Sequence, residues 1–120
     1  MAKFQFRDYS LKLEFPNCEF CIQCNSDVGD KAKEMGKQFD MLRAEYLEGK
    51  KTKQETVDYT IKSIDSILGE GASEKIFEGR DVTLSDAADV LIFIVTEANN
   101  FMRQKNAEVK RGINKGGKRK

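Results

Sequence analysis

A chain of 120 residues is read as one domain, long enough to bury a core without disulfide or metal staples. It contains no histidine and no tryptophan, so triad hydrolysis and most zinc chemistry lose their usual residues and no enzyme is expected. The formal net charge of +1 conceals an asymmetry: residues 103–120 hold eight Lys and Arg against Glu108 alone, a net +7 that leaves −6 on the rest.

An acidic body with a basic end implies that the end meets something acidic, the body itself or a copy of it, rather than that the whole protein favours nucleic acid. The opening MAKFQFRDYS lacks the apolar centre of a signal peptide, and no other stretch is long enough to anchor in a membrane. A cytoplasmic protein is expected, with its three cysteines reduced.

Residues 3–25 alternate in three short runs. Phe4 and Phe6 share one parity, Leu11, Leu13 and Phe15 a second, and Cys18, Phe20, Ile22 and Cys24 a third. Period two predicts strands with one buried face, and Asp8-Tyr9 and Pro16-Asn17 are short enough for tight connections. The simplest arrangement is a three-stranded antiparallel meander that lies on helices.

From Ser26-Asp27 the period changes. Val28, Ala32, Met35, Phe39, Leu42 and Tyr46 step by four and three, a narrow helical seam that ends near Gly49. Gly29 and Gly36 weaken this helix by roughly 1 kcal/mol each relative to Ala, so packing must make up the loss. Thr52 and Glu55 form a capping-box pattern before a second helix with Val57, Ile61, Ile64 and Leu68 on one face, closed by Gly69 and Gly71. Ser73 to Glu78 reads as one short helical piece that presents Ile76 and Phe77.

The longest apolar run, Val82 to Met102, reads as the central helix. A hydroxyl near its start and Asp86 supply a cap, and Leu84, Ala87, Leu91, Ile94, Ala98 and Phe101 stack one face. Val90, Ile92 and Phe93 widen that stripe until the helix is apolar almost all round, which calls for neighbours on more than one side. Asp86, Asp89 and Glu97 interrupt the run, which excludes a bilayer span. The fold expected is therefore α+β: an N-terminal sheet of about three strands on three main helices and a short one. The domain is drawn at residues 1–108, with 109–120 a disordered basic tail.

Chemistry is scarce. Cys18, Cys21 and Cys24 have metal-motif spacing, but no fourth cysteine and no histidine completes a set. Strand alternation also turns Cys21 away from the other two, so a structural role is expected and no cofactor. Gly69-Glu70-Gly71-Ala72-Ser73 and Gly116-Gly117-Lys118 lack Walker spacing and read as turns. The carboxylates at Asp58, Asp65, Asp81, Asp86 and Asp89 read as caps and solvated faces. Lys110, Arg111, Lys118, Arg119 and Lys120 could contact an acidic partner. Nucleic acid is one such partner, although aromatic residues for base stacking are missing beyond Phe101.

The run from Ser66 to Arg80, with LGEGASEKIF at its centre, leads into the capped apolar helix and a Lys/Arg-rich end. Over roughly residues 60–120 the chain resembles the tail assembly chaperones of long-tailed phages and prophages of Gram-positive bacteria. The cysteine-rich strand departs from that pattern. The resemblance implies a non-enzymatic protein that self-associates, coats the tape measure protein and helps recruit major tail protein, and that is often also made as a longer frameshift product. The candidate contacts for that role are the seam Met35, Phe39, Leu42 and Tyr46, whose commoner reading is intramolecular core, together with the tail cations. The alternative function is a small nucleic-acid-binding regulator that uses the basic tail.

Overall fold

Two apolar runs separated by Pro16-Asn17 pair as an antiparallel hairpin, β1 (Ser10–Phe15) and β2 (Cys18–Gln23). The computed structural model describes residues 2–118, with side chains to residue 109. Register places Leu11 opposite Ile22, Leu13 opposite Phe20 and Phe15 opposite Cys18, so one face is apolar throughout. The other face is charged, with Lys12 paired to Glu19 at 3.3 Å across the strands. Cys24 N–H donates to the Tyr9 carbonyl at 2.7 Å and prolongs the ladder by one bond.

The expected third strand is absent from the described residues: the sheet has two strands, and residues 3–9 form none. Phe4 and Phe6 alternate correctly but remain 78% and 84% exposed, touching each other edge-to-face instead of the core. Asp8 accepts the Ser10 N–H at 2.9 Å, a local bond that uses the turn residue without starting a ladder.

Helix α1 (Ser26–Leu47) begins at the expected Ser26, and Asn25 just before it supplies the cap by accepting the Val28 N–H at 3.0 Å. Helix α2 (Lys53–Leu68) carries the full reciprocal box: Glu55 N–H donates to Thr52 Oγ1 and Thr52 N–H donates to Glu55 Oε1, both at 3.1 Å. The short α3 (Ala72–Ile76) follows Gly69 and Gly71, whose φ values of 115° and 82° are open to glycine. Helix α4 (Leu84–Lys118) is capped by Thr83 Oγ1, which accepts the Asp86 N–H at 3.1 Å. Its backbone runs through most of the stretch expected to be a tail. The side chains of 110–118, and Arg119 and Lys120 altogether, lie outside the described residues.

The core gathers on α4. Ala87, Leu91, Ile94 and Ala98 are fully buried along one stripe and meet Phe39 of α1, Ile64 of α2 and Leu13 of the hairpin. Helix α1 runs antiparallel to α4, with Gly29 against Met102 and Gly36 against Val95, steps of seven on both helices. Helix α2 closes the third side and buries Thr56, Thr60 and Ser63, whose hydroxyls donate to the carbonyls four residues earlier at 2.8–2.9 Å. Those small side chains enter the core without leaving an unpaired hydroxyl. The result is α+β, a hairpin on a helical bundle.

Candidate interaction surface

Because α1 and α4 cross with glycines at their contacts, the outer side of that crossing stays shallow. A groove of about 600 Å³ lies there, with Gly36, Phe39, Leu91, Ile92 and Val95 as its floor. Lys33 and Lys37 line the α1 side, and Thr96 and Asn99 the α4 side. The groove continues toward the start of α4 as a second hollow between Tyr46, Leu47, Leu84 and Ala88, sharing Phe39 and Ile92. Ile92 remains 46% exposed and Leu47 76%, so apolar surface follows the seam along its length.

The candidate contacts divide between core and surface. Phe39 is 2% exposed and forms both core and groove floor; Met35 packs half-buried against the core. Leu42 is half-buried, and Tyr46 is half-buried at the second hollow. The residues that open the surface, Ile92 and Leu47, were not among the candidates. Ile92's place in the widened apolar stripe was the available signal. Lys110, Arg111 and Lys118 fall on the final turns of the α4 backbone, and their side chains, like Arg119 and Lys120, lie outside the described residues.

The cysteines sit as strand alternation requires: Cys18 half-buried, Cys21 exposed on the opposite face and Cys24 buried beyond the strand end. Burial pushes the Cys24 thiol up, which suppresses its thiolate. Among the described residues no group of three His, Cys, Asp or Glu is placed to hold a metal. Asp65, one of the carboxylates weighed for chemistry, instead fastens α3 to α2. It accepts the Ser73 N–H at 2.8 Å and the Ser73 hydroxyl at 3.1 Å.

Residues 11–119 match the model of a family described as a family of unknown function, DUF6673. The chain belongs to that family. The DUF6673 match begins at Leu11, the first apolar residue of β1, and takes in the rest of the hairpin and the bundle, leaving the exposed Phe4 and Phe6 outside it. No curated protein and no solved structure matches the chain. Among the described residues no helix is long and apolar enough to cross a membrane.

Proposed function

We propose that the chain is a non-enzymatic assembly factor of the tail assembly chaperone type, and that the α1/α4 groove receives an apolar helical stretch of a tape measure protein. The observation that carries this reading is the uncovered apolar seam, where Ile92 and Leu47 stay in water along a groove bounded by two rigid helices. An amphipathic helix laid between α1 and α4 would bury that strip and turn a three-helix arrangement into a four-helix one. Recruitment of major tail protein and work in the cytoplasm of a host cell complete the proposal. Its support is the resemblance of residues 60–120 together with a surface that suits a helical client.

The test is co-expression with a tape measure protein of a long-tailed phage, followed by co-purification. The chain is expected to hold that protein in the soluble fraction, and the double variant Ile92→Asp, Leu47→Asp to release it while keeping its helical circular dichroism. Equal recovery with both forms would place the client elsewhere. Failure of the unaltered chain to retain any tape measure protein would remove the assembly reading.

A second reading, a nucleic-acid-binding regulator, draws on the +7 charge of residues 103–120. It requires salt-sensitive gel shifts that disappear on deletion of Lys110 to Lys120.

A further inference from the structure

The charge asymmetry of the sequence acquires a direction in the fold. Residues 70–97 hold seven carboxylates against Lys75 and Arg80, a net −5 that accounts for nearly all of the body's excess of −6. Among the described residues none of these seven is in an ion pair. Three of them, Glu78, Asp86 and Asp89, against the single cation Arg80, border a groove of about 340 Å³ whose floor is Phe15, Phe77 and Val90. Two fixed contacts shape it. Asn17 Nδ2 donates to the Lys75 carbonyl at 2.7 Å and ties the hairpin tip to α3, and Phe15 packs edge-to-face on Phe93 of α4. This apolar groove with an acidic border sits at the first turns of α4.

The cations occupy the other end of the same helix. Gly29, near the start of α1, already lies against Met102, so the turns of α4 that follow run on beside the beginning of α1 and past it. From Asp89 to Lys110 is 21 residues of continuous helix, about 31 Å at 1.5 Å per residue. An α-helix does not fold back on itself, so the basic end cannot reach its own acidic groove.

We propose that this groove takes the basic end of α4 from a second copy, so that copies associate head to tail. Such an interface is heterologous: each chain offers one donor end and one acceptor end, and the assembly grows as a ring or an open row. Opposite charges at the two ends steer the encounter and fix the polarity, while the apolar floor supplies surface to bury. The acidic groove and the α1/α4 groove share the first turns of α4, where Asp89 lines both, but only the acidic groove is bounded by the hairpin tip and α3.

Sedimentation velocity of the full chain over a range of concentrations, at about 20 mM and about 300 mM salt, tests it, because the screening length falls from about 20 Å to about 6 Å between them. Species beyond a dimer are expected to grow with concentration at low salt and to dissolve at high salt. The exposed-site variant Glu78→Lys, Asp89→Lys should weaken association at least about tenfold, and Lys110→Glu, Arg111→Glu should do the same. An equimolar mixture of the two should restore it. A chain that stays monomeric at low salt, association that ignores both reversals, or a mixture no tighter than its components would each overturn the proposal. So would a monomer that binds a single-stranded oligonucleotide in a salt-sensitive way, which would assign the basic end to nucleic acid.

Discussion

Met102 lies so close over Gly29 that a Cβ at position 29 would stand 2.6 Å from Met102 Cγ, inside any real contact distance. Gly29 therefore trades helix propensity for a close approach of α1 to α4. Gly29→Ala gains about 1 kcal/mol of propensity and loses about 1–3 kcal/mol to overpacking, so a net loss near 1 kcal/mol is expected by urea titration. In a Met102→Ala background the obstructing atom is gone. There Gly29→Ala should stabilise by about 0.5–1 kcal/mol. The same sign in both backgrounds would show that the contact does not explain the glycine.

The Asp65 carboxylate holds the backbone N–H and hydroxyl of buried Ser73. Asp65→Ala strands that N–H away from water and is expected to cost about 1–3 kcal/mol, whereas Ser73→Ala removes only one bond and should cost about 1 kcal/mol. Chemical denaturation of the two variants distinguishes them. Equal and small losses would mean that the α2–α3 junction relaxes to let water in.

Acid lability should trace in part to Glu55 and Asp8. Hydrogen bonds from Thr52 hold the Glu55 carboxyl below its usual range, and bonds from Ser10 do the same for Asp8. A lowered folded-state pKa means stability that is present above the unfolded value, near 4.5 for Glu55, and lost as pH falls through the folded value. The stability difference between the unaltered chain and Glu55→Ala should thus be full at neutral pH and shrink below about pH 4.5. A difference that persists unchanged at pH 2 would assign the effect to packing.

Thiol reactivity should follow exposure. At neutral pH an alkylating reagent is expected to modify Cys21 first, Cys18 more slowly and Cys24 only as the structure opens, since burial raises the Cys24 thiol and shields it. Mass spectrometry of the partially modified chain reads the order directly. Early loss of Cys24 would mean that the hairpin lifts from α4 in the native state.

How far the sequence spoke can be judged at particular residues. Thr52 and Glu55 were legible because a capping box is a local pattern with one geometry. The cost of Gly29 and Gly36 was legible, but not what crosses them, since Met102 and Val95 lie 73 and 59 residues away in sequence. Phe4 and Phe6 misled because parity describes a strand without supplying an edge to pair with; β1 bonds only β2. The seam Met35 to Tyr46 was readable as a helix face. Which part of it stays wet depends on how many neighbours α4 receives. The hairpin, α1 and α2 leave Ile92 half in water, and no local pattern encodes that remainder.

The central claim is that the α1/α4 groove is a client site. Hydrogen–deuterium exchange of the chain, alone and mixed with a tape measure protein of a long-tailed phage, addresses this directly. Slowed exchange is expected in the groove-bordering turns, residues 33–47 of α1 and 84–99 of α4, with α2 unchanged. Protection confined to α2 or to the hairpin, with the groove exchanging as in the free chain, would contradict it.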